Sequence, residues 1–592
     1  MSNTPINTTT KRPVFRQSMS ALHTWAGLLP SWILYFMFIT GTAGYFNTEI
    51  TQWMQPETPF SGEPTTQAKM LGFAEQRLKI VGAKADEWHI DFPDDRNGFL
   101  HIKWKNNLSE NEKTKLIEKG FTKEQIEISK ETEELLYPKT GLPVEYADGA
   151  TQPRETGGGY ALYQMHYELH YLSEPVANYL VIFCTLFMLV ALVTGIVVHK
   201  RIFKDFFTFR PDKKQRSWLD AHNMFSVLSL PFQLMITYSG LLYALRSVMP
   251  VLFFAPIALM GFDVANMREA NGIEEMSPKN QKIIQVVQEE IFNQPKVQKP
   301  SGTAAALTPL TPMLTHVQAR RPDTPVQYIK VENAHDANAQ VLLHLVSSVG
   351  PDNDNHYVFN GVSGEILRRP DNSNESFLRN VREVDTVMRN LHEGLFAPII
   401  LRWLYVLSGL MGAGMIATGS ILWVVKRREN AEKKGRNSKG LVLVESLNAG
   451  TIVGLPIAVA VYFVANRLIP AELEMRADWE LHALFLTWGL MFTHAVIRPQ
   501  HRVWGEQLWL AAAAYALLPV LNAFTSERHL GTSLVQGDWV MAGFDLTMLL
   551  LGVSFALVAR RGHKKRIPIE APQNQSLYME SAAGRANQES PL

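Results

Sequence analysis

Four histidines stand at matching places in two halves of this chain. His23 opens one long apolar stretch (ALHTWAGLLPSWILYFMFITG) and His222 opens another (DAHNMFSVLSLPFQLMITYSG). Each is followed 18 residues later by a glycine that a hydroxyl residue precedes (Thr40-Gly41, Ser239-Gly240), and each stretch carries a proline about a third of the way along (Pro30, Pro231). His170 and His392 precede two further apolar stretches, which end in Thr194-Gly195 and Thr418-Gly419. Ligating side chains at membrane depth are rare and tend to be functional. Two imidazoles across a flat macrocycle make a six-coordinate b-type haem, and helical bundles build such sites from facing helices. A single histidine near a membrane surface is more often an interfacial polar residue. Repetition at two depths favours two haems, His23 with His222 and His170 with His392.

Two further histidines compete for these roles. His166 lies one helical turn before His170 on the same face, so either could ligate. The spacing from the hairpin glycines favours His170, because Gly141 to His170 is 29 residues and Gly364 to His392 is 28. His199 sits at the depth of His23 and His222, but its counterpart in the second half is Trp423. It is a ligand, or a propionate or electron-entry residue. A continuous helix from His170 to His199 would span about 43 Å, too far for direct transfer between haems. Either His199 is not a ligand, or Pro175 interrupts the helix.

These residues need elements to hold them, and composition says which. The 592 residues are 46% hydrophobic with a net charge of +1, so no global basic field points to nucleic acid. The single cysteine, Cys184, excludes an intrachain disulfide, a Cys-ligated iron–sulfur cluster and a CxxCH-attached haem. About 20 apolar residues cross a bilayer core. Eight stretches qualify: 21–46, 172–199, 219–246, 397–425, 441–464, 479–497, 504–524 and 538–559. The 200–218 loop holds Lys200, Arg201, Lys204, Arg210, Lys213, Lys214 and Arg216, and the 426–440 loop is equally basic. Arg560, Arg561, Lys564, Lys565 and Arg566 open the 560–592 tail, whereas loops 465–478 and 525–537 have two basic residues and one. The positive-inside rule then places both termini, including residues 1–20, in the cytoplasm.

Segments 57–165 and 265–385 fall outside, and they look alike. Each has an amphipathic stretch (AEQRLKIVG; MLTHVQARR), then a strand-like one (EWHIDF; VQYIKV), then a hairpin signal (LLYPKTGLPVEY; HYVFNGVSGEIL). The Thr-Gly and Ser-Gly pairs suit turns that need positive φ. The expected fold is therefore a mostly α, polytopic membrane protein. A duplicated helix–external domain–helix unit with two small α+β domains is followed, over 441–559, by four further spans. His89, His101, His316, His335, His344 and His356 are scattered through the external segments without ligand spacing. Glu445, Glu480, His482, His494 and Asp545 are polar groups in the last spans, suited to a proton or quinol pathway or to helix pairing. Arg246, Arg402 and Arg467 at external span ends suit haem propionates, an anionic ligand or snorkelling.

Several stretches resemble the PepSY-associated transmembrane family of bacterial inner-membrane proteins. They are LHTWAGL, ELHYL with the run to VTGIVVHKRIFKDFFTFRP, RSWLDAHN with LPFQLMITYSGL, and LHEGLFAPIILRWLYVLSGL with ATGSILWVVKRR. WELHALFLTWGLMFTHAVIRP and LLPVLNAFTSERHL resemble its longer members. The family includes haem-containing ferric-siderophore reductases of iron uptake. The resemblance implies two b haems on His23, His222, His170 and His392, with His199 and His166 in reserve. It also implies a haem-dependent ferric (siderophore) reductase in the inner membrane, with a ferric siderophore as substrate and lipid around it. No GxGxxG nucleotide fingerprint opens a helix, so the electron donor would be quinol or a separate cytoplasmic reductase. The rival expectations are a siderophore or ion transporter without haem, and a membrane-anchored sensor or inhibitory module.

Overall fold

The computed structural model describes residues 15–105, 131–199, 210, 214–248, 277–283, 298–346, 356–368, 377–433 and 439–564. Most of the basic 200–218 loop, the start of the second external segment and Lys565 and Arg566 lie outside the described residues, as does the Arg246 side chain.

The described strands build one sheet. Its strands are β1 (Glu87–Asp91), β2 (Leu100–Lys105), β3 (Glu131–Leu136), β4 (Val326–Glu332), β5 (Gln340–Leu345), β6 (His356–Asn360) and β7 (Ile366–Arg368). Their order is β3-β2-β1-β4-β5-β6-β7, antiparallel throughout. The two segments expected as separate domains are thus fused at β1–β4, where Trp88 pairs with Val331 and Ile90 with Ile329. Fusion removes two exposed strand edges that separate domains would leave open. Helices α4 (Gln67–Val81) and its repeat mate Thr311–Arg320 bury Leu71, Leu78, Leu314 and Val317 against Ile90, Ile102, Ile329, Leu343 and Phe359 in one core. Gly141 and Gly364 turn the hairpins with φ of 71° and 74°, as their Thr-Gly and Ser-Gly sequences require.

The bundle repeats as well. Helices α1 (Phe15–Leu28) and α2 (Ser31–Gly44) form one span bent by 58°; Gln215–Leu228 and Leu230–Tyr243 form another bent by 68°. Pro30 and Pro231 sit at the breaks, where a ring without an N–H cannot continue the hydrogen-bond ladder. Among the described residues, six further helices are long and apolar enough to cross a membrane, giving eight spans if each bent pair counts as one. The chain is a multi-pass membrane protein.

In chain order, α3 (Asn47–Met54) precedes α4, and α5 (Gly158–Glu168) and α6 (Glu174–Val198) close the first repeat. In the second repeat, α7 (Lys214–Leu228) and α8 (Leu230–Val248) are the bent pair, α9 (Thr311–Arg320) lies on the sheet, and α10 (Phe377–Glu393) and α11 (Ile399–Lys433) follow. The expected external segments ran too far at their ends. α5 packs on α2 and α3, and α10 packs on α8, so both belong to the bundle. Within each repeat the first half of the bent span packs on the long span (α1 on α6, α7 on α11). The second half crosses to the other repeat's long span (α2 on α11, α8 on α6).

The remaining helices are α12 (Lys439–Ile452), α13 (Gly454–Leu468), α14 (Arg476–Ile497), α15 (Gln500–Thr525), α16 (Leu530–Gln536) and α17 (Trp539–Lys564). Buried polar clamps on the sheet side join them to the core. Glu57 accepts from Arg154 at 2.6 Å, and Arg154 also donates to the Asn466 carbonyl. Arg476 and Glu480 are fully buried and paired, with Asn466 and Thr156 donating to the same carboxylate. Asp545 accepts from Trp53 and Asn522, and Arg467 stacks on the Trp53 ring at 4.0 Å.

Candidate cofactor site

Each of four imidazoles sits on a helix of its own repeat, and the seats are alike. His23 Nδ1 meets the Ala191 carbonyl at 2.9 Å, His222 Nδ1 the Met415 carbonyl at 2.9 Å, and His166 Nδ1 the Met37 carbonyl at 2.9 Å. His392 engages the Ile236 carbonyl, and its Nδ1 meets the Ser239 hydroxyl at 2.9 Å. Three residues beyond each carbonyl stands Thr194, Thr418, Thr40 or Ser239, and the next residue is glycine. A β-carbon on Gly195, Gly419 or Gly240 would lie 3.1 Å from the imidazole, and one on Gly41 only 2.6 Å. The Thr/Ser-Gly pairs are therefore seats: glycine makes room for the ring and the carbonyl one turn earlier fixes its tilt.

The tautomer follows from the seat. A carbonyl oxygen only accepts, so Nδ1 carries the proton in each seated ring and Nε2 keeps its lone pair. Across the repeat axis the rings come together in two pairs. The centroids of His23 and His222 are 6.3 Å apart and those of His166 and His392 are 6.0 Å apart.

The donor set fits a haem. An imidazole nitrogen lies about 1 Å from the ring centre and binds a metal at about 2 Å, so two rings on one metal have centres about 6 Å apart. Among the described residues no group of three or more His, Cys, Asp or Glu could hold a metal ion. Two imidazoles alone would leave a metal short of ligands, and a group that brings its own nitrogens, as a porphyrin does, would supply the rest. A backbone carbonyl on the far nitrogen is the usual partner of a metal-bound imidazole.

The two pairs lie at different depths. Gly409 of α11 faces Thr42, next to Gly41, and is ten residues from Gly419, or about 15 Å at the rise of an α-helix. Counting through Gln233, which faces Gly412, gives about 21 Å. His166 and His392 belong to the sheet side of the bundle, His23 and His222 to the far side.

The sequence-derived site residues thus divide. His23, His222 and His392 stand in the pairs, and His166, held in reserve, takes the place expected for His170. The reason is a break in the chain: α5 ends at Glu168, and Leu169 and Tyr171 take φ of 49° and 71°. His170 is turned away and stacks on Phe485, with centroids 5.4 Å apart. The continuous helix that set the 43 Å length does not exist, since α6 starts at Glu174 with Pro175 in its first turn. His199 caps the end of α6, close enough to His23 and His222 for their charges to interact.

Glu445 pairs with Arg428, and Arg402 with Glu49. Three of the sheet histidines, scattered in sequence, come together in space. His89, Tyr328, His344 and His356 stack in a row across β1, β4, β5 and β6, with centroids 4.8, 4.7 and 4.4 Å apart. Cross-strand neighbours far apart in the chain leave no spacing signal, so the sequence could not show this row.

Among curated proteins none matches this chain. A family model described as the PepSY-associated TM region matches residues 20–426, which take in both repeats, all four seated imidazoles and the fused sheet. The chain belongs to the PepSY-associated transmembrane family.

Proposed function

We propose that this protein is a transmembrane electron conduit with two b haems. In this reading it reduces ferric chelates, ferric siderophores above all, on the sheet side of a bacterial inner membrane, with both termini in the cytoplasm. The observation that carries the reading is the pair of imidazole couples, 6.3 and 6.0 Å between centroids, with every Nδ1 tied to its own repeat. His23 with His222, and His166 with His392, would hold the haems; bound haem supplies a one-electron iron couple. The seats hold each ring in one tautomer and one tilt, so ligand geometry need not reorganise when charge moves. A separation of about 15–21 Å between couples, from the helix rise, suits electron passage without a mobile carrier.

At the outer end, one electron converts Fe(III) to Fe(II), which hard oxygen-donor chelators hold far less tightly, so reduction frees the metal. Electrons would come from membrane quinol or a separate cytoplasmic reductase.

The test is vectorial. The full chain is sealed in liposomes with a reductant inside and a ferric hydroxamate plus an Fe(II)-trapping dye outside. Reduction should require the protein and fall to background in His222→Ala and His392→Ala. Equal dye formation in those variants would overturn the reading.

A further inference from the structure

We propose that a cavity between α14 and α15 is a hydroquinone-binding site, open to the bilayer and level with the His23–His222 couple. This inference rests on the conduit reading for the fate of the electrons, but not for the binding itself. The cavity has a volume of about 320 Å³ and is lined by Met491, His494, Arg498, Glu506, Gln507 and Leu510. That is the size of a small-ligand pocket. Leu510 in its lining and Leu490 beside Met491 are exposed apolar side chains, so a lipid-borne molecule reaches it from the membrane.

Its polar groups are built rather than incidental. Arg498 holds Glu506 with two bonds, at 3.0 and 2.6 Å. His494 Nε2 lies 3.0 Å from the same carboxylate and therefore carries the proton, which leaves Nδ1 with a lone pair. The Gln507 amide nitrogen donates to the Met491 carbonyl at 3.0 Å and reaches His494 Nδ1 only at 3.4 Å. Gln507 is 1% exposed, and its Oε1 has no partner. A buried acceptor without a donor is costly, and a ligand O–H would satisfy it. A hydroxyl on a flat, lipid-soluble ring meets all these demands.

One helix separates this cavity from the His222 seat. Ser446 of α12 donates to the Ala495 carbonyl, beside His494, and Asn448 donates to the Ser420 carbonyl, beside Gly419. Oxidation of the hydroquinone breaks two O–H bonds and yields the quinone. The two protons pass in turn to His494 Nδ1, whose imidazolium faces Glu506, and leave along the exposed Arg498 side. The two electrons depart singly to a one-electron iron(III) acceptor of the class proposed at His23 and His222.

The probe is decylubiquinol, kept reduced with dithionite and titrated calorimetrically into the full chain in quinone-free phosphatidylcholine nanodiscs. Saturable binding is expected, weakened about tenfold by Gln507→Leu, the loss of one hydrogen bond. His494→Phe should weaken it similarly and serves if the glutamine variant does not fold. Because Oε1 accepts, the reduced form should bind more tightly than the quinone. His222→Ala should bind decylubiquinol like the unaltered chain, so loss of the redox centre and loss of this site are separable. The proposal is overturned by absence of saturable binding, by unchanged affinity in the folded variants, or by displacement of the probe when phosphatidylglycerol replaces part of the lipid.

Discussion

Adding one methyl group at Gly41 tests the seat geometry more sharply than deleting a ligand. An alanine β-carbon there would lie 2.6 Å from His166 Nδ1, against 3.1 Å from the ring at Gly419. An ordinary carbon–nitrogen contact is about 3.4 Å, so His166 must retreat by roughly 0.8 Å and His222 by roughly 0.3 Å. A metal–ligand distance tolerates about 0.2 Å, so the first displacement exceeds it several-fold and the second barely does. Alanine in place of glycine favours the helix by about 1 kcal/mol, so loss of folding is not the expected cause of any change. Low-temperature paramagnetic resonance of the oxidised protein counts low-spin centres. Gly41→Ala should lose the signal of the sheet-side centre, about half the total, while Gly419→Ala keeps both. Retention of both low-spin signals in Gly41→Ala would refute the assignment of His166 as a ligand.

Other outcomes follow from the same contacts. His166→Ala should lose one of two haems while His170→Ala retains both, as read by haem-to-protein ratio; the reverse would restore His170 as the ligand. His344 in the sheet is pushed down to about 4 by burial, from 6.5. The unfolded chain therefore binds more protons between these values. His344 contributes no penalty above about pH 6.5 and destabilises the sheet progressively as pH falls toward 4, by up to about 3 kcal/mol. Protection factors for amide exchange in β4–β6 should fall between pH 7 and 5, and His344→Leu should flatten that dependence. Arg476→Ala leaves Glu480 buried and unpaired, at a cost of about 3–5 kcal/mol, so thermal unfolding in detergent should come well below that of the unaltered chain. An unchanged midpoint would show that water reaches the pair.

The sequence carried the parts of the fold that local chemistry determines. Apolar length set the spans, and the hairpin glycines took the positive φ their turns need. Long-range pairing was not legible: β1 and β4 are more than 200 residues apart, and each alone reads as an ordinary strand in its own domain. The count that favoured His170 assumed connections of equal length. Gly141 to His166 is 25 residues and Gly364 to His392 is 28, because the connections from sheet to bundle differ in length between the repeats. Composition also hid the purpose of the Thr/Ser-Gly pairs. They read as span ends, whereas each receives a ring from another helix.

The central claim is that the two imidazole couples each hold a porphyrin. The most direct measurement is the haem content of the purified full chain produced with ample haem. The account predicts two b-type haems per polypeptide; a colourless protein would contradict it.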